Sequence, residues 1–199
     1  MANTDDPKKD NTVNFITDII PAFGQKVEES KQTQLKIKQR SIRSFSKSQD
    51  RGRAVMFTYT KPKGYVDNTL EYHHKFPVSI ILDVDSEYIT GINPFYIPTR
   101  TRKVIIRQLL SMVDNKTQPT PESRAIITYA MIERTSIGKF VKPAIKKYLK
   151  SRMSQVAVQF SPALWDDVFI GKTSKQLEGL WSRTSKSIVY GDYVRRINN

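Results

Sequence analysis

YITGINPFYIPTRTRKVIIRQLLSMV, residues 88–113, decides the fold. It begins as a short apolar strand, turns through a corner bracketed by Pro94 and Pro98, and continues as a helix that opens with Arg100, Arg102, Lys103 and Arg107. At 3.6 residues per turn Arg100, Lys103 and Arg107 share a narrow arc, while Ile105, Ile106, Leu109, Leu110 and Val113 fill another. One face is built for burial and the other for water and positive charge. The element therefore joins a core to a negatively charged partner, with sheet before the corner and helices after it.

Upstream of the corner, residues 53–60 (RAVMFTYT) alternate and are rich in aromatic and branched side chains, residues 61–68 read as a loop, and residues 76–84 (FPVSIILDV) read as a buried strand. With residues 88–92 they predict a small antiparallel sheet, partly open and barrel-like. Before Gly52 the texture differs. Residues 1–11 are polar and aperiodic, residues 13–20 read as a short docking segment ended by Pro21, and residues 25–45 carry an apolar stripe too thin for a helix to stand alone. Downstream, Thr120-Pro121, Pro143 and Ser161-Pro162 read as helix starts, with a strand over residues 155–160 between the last two. The expectation is an α+β protein: a basic helical or flexible N-terminal arm (1–50), a core of small antiparallel sheet and several helices (51–170), and a C-terminal extension (171–199).

The 199 residues include no cysteine, which excludes disulfides, thiolate metal sites and a cysteine nucleophile. The longest apolar runs, near residues 78–82 and 104–106, fall far short of the roughly 20 residues of a membrane span. No membrane partner and no cofactor is expected. The net charge of +14 is uneven: −3 over residues 1–30, +9 over 31–63, −4 over 64–99, +10 over 100–152 and +2 over 153–199. Two basic blocks flank a mildly acidic, strand-like middle. Such a distribution points to nucleic acid, an acidic protein face or anionic lipid, or else to a surface that is merely solubilising.

The nucleic-acid reading rests on Lys36, Lys38, Arg40, Arg43, Lys47, Arg51 and Arg53 in the arm and its junction, on Arg100, Arg102, Lys103 and Arg107, and on Lys139, Lys142, Lys146, Lys147 and Lys150. Lysine and arginine at helical spacing neutralise phosphates and release counterions, giving affinity with little sequence discrimination. Tyr59, Tyr65, Tyr72, Phe95 and Tyr96 lie near these cations and could stack on unpaired bases, though covering the sheet is the commoner role. One constellation resembles an enzyme: Asp83, Asp85 and Glu87, spaced two apart on a strand, with Glu71, His73 and His74 nearby, could hold a hard cation. The same residues equally suit a polar hairpin turn. No Gly-rich phosphate loop, HExxH or GxSxG is present.

The ordered segments MFTYTKPK (56–63), LEYHHKFP (70–77), ITGINPFYIPTRTR (89–102), FVKPAIKKYLKSRM (140–153) and SPALW (161–165) resemble a family of small virion-associated proteins of T-even-like tailed bacteriophages. The resemblance spans roughly residues 55–165. Matched positions are Phe57, Tyr59, Phe76, Pro77, Gly91, Asn93, Tyr96, Pro98, Tyr148, Leu149 and Trp165, residue types that fix a corner rather than move protons. Tyr72, His73 and His74 stand where the family tends to have Tyr, Tyr and Asp, so no role of that aspartate carries over. The resemblance implies a non-enzymatic virion or assembly protein, found in the virion and in host cytoplasm during assembly. Its expected partners are the backbone of double-stranded DNA, whose packaged ends it would protect or thread, and other virion proteins, with self-association open. Two alternatives stand beside it: a neck, tail or baseplate part docking on acidic protein surfaces, and a metal-dependent phage nuclease.

Overall fold

The computed structural model describes residues 37–60, 76–114, 116–171, 174, 177 and 186–198. Within them the protein is α+β. Six antiparallel strands, β1 (Ile37–Ser41), β2 (Ala54–Met56), β3 (Val78–Val84), β4 (Tyr88–Ile92), β5 (Ile145–Leu149) and β6 (Val156–Phe160), form an open sheet in the order β1-β6-β2-β3-β4-β5. The helices are α1 (Lys47–Asp50), α2 (Thr99–Ser111), α3 (Tyr129–Arg134), α4 (Gly138–Val141), α5 (Trp165–Phe169) and α6 (Lys186–Asn198), joined by short 3-10 turns.

The four strands read from sequence are present as β2, β3, β4 and β6, and β1 and β5 extend them to a sheet of six. Residues 37–41, assigned to a helical or flexible arm, pair with β6 in register Ile37↔Phe160 to Ser41↔Val156. Residues 145–149, assigned to a helix, pair with β4, Ile89 opposite Tyr148. Both corrections have one cause. Central strands β6 and β4 present rows of N–H and C=O that need partners, and a half-polar segment satisfies them whatever its own preference. Lys36 and the segments 1–36 and 61–75, with the expected docking segment, Tyr65, Tyr72, His73 and His74, lie outside the described residues.

Both faces of the sheet are covered. On one, Ala54, Met56, Ile80, Leu82, Ile92, Val158 and Phe160 pack against Ile105, Ile106 and Leu109 of α2, Trp165, Val168 and Phe169 of α5, and Val189 and Tyr193 of α6. The other carries a smaller cluster of Ile42, Phe45, Val55, Phe57, Ile81, Val84, Ile89 and Tyr148. A β-bulge between Ile81 and Asp83 resets the alternation of β3, so that Ile81 and Val84, three residues apart, both join the smaller cluster. The corner follows its sequence signals: the Asn93 side chain accepts the Phe95 N–H at 3.1 Å and donates to the Tyr148 hydroxyl at 3.0 Å. The rings of Phe57 and Tyr59 stand edge-on to Tyr148 at 5.0 and 5.3 Å. Four residues of the motif series thus meet in one cluster.

The Thr120-Pro121 signal does not start a helix. Residues 120–123 make a turn and Ala125 bridges Val113. Burial then alternates, with Ala125 and Ile127 inside and Ile126 outside. Helix α3 begins only at Tyr129, where Thr128 Oγ1 accepts the Met131 N–H at 3.2 Å. What holds this segment extended is Gly52, whose φ is +81°. Its carbonyl accepts the Ala125 N–H and its N–H donates to the Ile81 carbonyl at 2.7 Å, so loop, sheet and segment meet at one backbone crossing. A Cβ at position 52 would lie 1.8 Å from the Ala125 oxygen. Gly52→Ala is therefore expected to cost about 2–4 kcal/mol, the left-handed penalty plus a displaced backbone contact, read as a lower urea midpoint at unchanged slope. A loss below about 0.5 kcal/mol would mean the crossing can slide.

Candidate nucleic-acid interface

Helix α2 divides as its wheel requires. Ile105, Ile106 and Leu109 are buried, and Arg100, Lys103 and Arg107 are exposed. Those three cations make no ion pair with any described carboxylate. Their stripe runs for about 10 Å of helix axis, a span that faces about three phosphates of one strand.

Arg102 is not part of the stripe, which corrects its assignment as a phosphate contact. It is completely buried. Nε and Nη2 donate to the Ile97 carbonyl at 3.1 and 3.0 Å, Nη1 donates to the Phe169 carbonyl and Ser174 Oγ at 3.1 Å each, and Nη2 donates to the Tyr190 hydroxyl at 2.9 Å. The guanidinium also lies 4.9 Å from the Phe95 ring centre. The signal was in the sequence: at about 100° per residue Arg102 sits about 20° from Leu109, in the middle of the apolar arc. Counting cations along the chain hid it.

Several other candidate cations have carboxylate partners. Arg40 and Arg53 share the buried Asp50, Lys38 meets Glu122 at 2.6 Å, Lys47 meets Asp83 at 3.0 Å and Lys142 meets Glu133 at 3.7 Å. Lys38, Lys47 and Lys142 are half or more exposed in these pairs, which are worth at most about 1 kcal/mol and can yield to a phosphate. The Asp50 pairs are different. That carboxylate is fully buried and also accepts the Ser46 N–H at 2.8 Å, so Arg40 and Arg53 brace the start of the core.

Strand β5 supplies a second positive region. Lys146 and Lys147 lie over the rings of Tyr96 and Tyr88 at 4.2 and 4.0 Å, and Lys139 over Phe140 at 4.9 Å. Burial, helped by the nearby Arg196 and opposed by Asp192, lowers the Lys146 ammonium to about 8. Lys150 donates to the Asp85 carbonyl at 2.5 Å. With Arg43, Ser86, Ser151 and Ser154 it lines an open cleft of about 510 Å³. Arg51 is half-buried, its Nε donating to the Leu82 carbonyl at 3.1 Å. Arg124, which sequence reasoning missed, reaches the Ser48 carbonyl because Gly52 brings residues 124–128 against α1. No local pattern announces such a tertiary approach.

The acidic trio does turn and pairing work. Asp83 holds Lys47 and accepts the Val84 N–H at 3.0 Å. Asp85 Oδ1 accepts the Glu87 and Tyr88 N–H groups at 2.8 and 2.6 Å, which, with smaller help from Lys147 and Lys150, hold its carboxyl below the usual range. Strand β3 ends at Val84, so Asp85 lies in the turn and not beside Asp83 on a strand face. Among the described residues no three His, Asp or Glu side chains converge as a metal site, and no helix is long and apolar enough to cross a membrane. Of the candidate stacking rings, Phe95 and Tyr96 are buried and Tyr59 packs on Tyr148.

A family model described as phage T4 terminal DNA protecting protein matches residues 8–179. No curated protein and no solved structure matches the chain.

Proposed function

The chain belongs to the phage T4 terminal DNA protecting protein family, and from that premise we propose that it covers the ends of packaged duplex DNA without chemistry, holding the phosphate backbone through Arg100, Lys103 and Arg107. The observation that carries this is the stripe itself. Three cations that meet no described carboxylate project from a helix whose opposite face is anchored in the core, so binding phosphate costs no internal pair. Lys147, Lys150 and Arg43 extend the positive surface, and the exposed pairs of Lys38, Lys47 and Lys142 can open toward it. None of these groups reads a base edge, so affinity follows charge rather than sequence.

Affinity for random duplex is expected to fall roughly a thousandfold between about 50 and 200 mM salt, the response to about six phosphate contacts. Equilibrium binding over a salt series measures it. Absence of binding at the low-salt end would overturn the reading.

A second reading, docking on an acidic face of another virion protein near the DNA exit, is favoured by one observation. Val104 is 61% exposed inside the stripe, and Ile188 and Val194 of α6 are each 47% exposed. Apolar groups within a charged surface suit a protein neighbour better than a solvated backbone. The two readings separate on whether duplex DNA or the neighbour is retained at low salt.

A further inference from the structure

Beside Gly52 lies a groove that backbone contact alone does not use. Its walls are α1 and the extended residues 124–128, and Lys47, Ser48, Arg51, Arg124, Ile126 and Thr128 line about 650 Å³. That volume suits a nucleotide-sized group. Because Ala125 and Ile127 turn into the core, Ile126 must turn out, and it is 60% exposed; Tyr129, at the start of α3, is 42% exposed. Tyr129 also stands close enough to Asp83, the partner of Lys47, for that charge to add to burial in raising its hydroxyl. The groove therefore sets an aliphatic side chain among three cations, and Tyr129 follows its lining residue Thr128 directly in the chain.

A duplex end differs from its interior in two ways that match. It shows the flat apolar outer face of its last base pair, and its terminal phosphate is a monoester of roughly −1.5 to −2 charge against about −1 for an internal diester. The cations are able to respond. Lys47 is tied by a partly exposed pair at 3.0 Å to Asp83, and Arg124 by one at 3.7 Å to Asp114 together with the Nη1 hydrogen bond to the Ser48 carbonyl. Arg51 is held by Nε, which leaves its terminal nitrogens as donors. We propose that this groove seats the terminal nucleotide of a duplex, with Lys47, Arg51 and Arg124 on the 5′-terminal phosphate and Ile126 and Tyr129 against the last base pair. The assignment rests on the DNA-binding reading above and adds to it a reason to prefer ends.

The test compares three forms of one duplex sequence bound by the full chain at a single salt concentration: linear with 5′-phosphates, linear with 5′-hydroxyls, and closed at both ends by hairpin loops. The phosphorylated linear form is expected to bind about tenfold more tightly than the closed form, with the hydroxyl form between them. In an Ile126→Ser/Tyr129→Ala variant the ratio of linear to closed affinity should fall toward one. In Lys47→Gln the difference between phosphate and hydroxyl ends should vanish. Circular dichroism confirms that each variant is folded, and either one alone suffices to decide. Equal, tight binding of all three forms by the unaltered protein overturns the groove assignment and leaves backbone binding standing. Binding of none overturns both. A preference for ends that survives the variants places end recognition elsewhere.

Discussion

Replacing Arg102 with alanine is expected to destabilise the protein by about 3–5 kcal/mol, a large part of the roughly 5–15 kcal/mol that holds a typical domain. The guanidinium donates to carbonyls at Ile97 and Phe169 and to hydroxyls on Ser174 and Tyr190. It therefore ties the start of α2 to the end of α5 and to α6. Alanine would leave two buried carbonyls without this donor and a void against Phe95, and each effect alone is costly. Arg102→Lys keeps the charge but cannot reach acceptors on several sides with one compact ammonium, so it should fall between the two. Urea denaturation measures the loss, and earlier cleavage near α6 in limited proteolysis would show where the structure opens. A change below about 0.5 kcal/mol would mean that the buried network contributes nothing net. A phosphate contact would behave in the opposite way, with stability kept and DNA affinity lost.

Charge reversal at Arg100, Lys103 and Arg107 together should do that. These side chains are exposed and meet no described carboxylate, so the thermal midpoint should hold. Affinity for duplex DNA is expected to drop on the order of 10²–10³-fold, and the salt slope to shrink by about three, one for each phosphate released. The slope is the more telling number, because a general loss of positive field would weaken binding without removing an integer set of contacts. Unchanged affinity would move the backbone contact to the cleft between Arg43 and Lys150.

The contrast between Arg102 and its neighbours shows how far the sequence could be read. Burial and exposure along α2 follow the wheel, including at Arg102, where the rule held and the count of cations misled. Strands β2, β3, β4 and β6 were visible because their runs are short, rich in branched or aromatic residues and bounded by turn residues. Strands β1 and β5 were not, since IKQRS and IKKYL hold too little apolar alternation to declare themselves, and the sheet's interior strands recruit them. Two identical-looking helix starts had different fates. After Ser161-Pro162 the buried residues Trp165, Val168 and Phe169 recur at helical spacing and the helix forms. After Thr120-Pro121 the inward residues alternate, and the chain stays extended against Gly52. The resemblance to a T-even-like phage family held, and its motif residues Phe57, Tyr59, Asn93 and Tyr148 prove to be one cluster. The groove at Lys47, Arg51 and Arg124 was beyond sequence reasoning, because its two walls are more than seventy residues apart in the chain.

Among the described residues the open sheet ends in β1 on one side and β5 on the other, and each of these outer strands carries an exposed lysine, Lys38 on β1 and Lys147 on β5. An uncapped strand invites a second molecule to zip alongside it, yet two copies approaching rim to rim would bring like charges together before a single backbone bond formed. Crowded copies are thus kept from growing into ribbons by the same residue types that draw the protein toward a polyanion, and neutralising the rims should make fibrous aggregates appear on concentration.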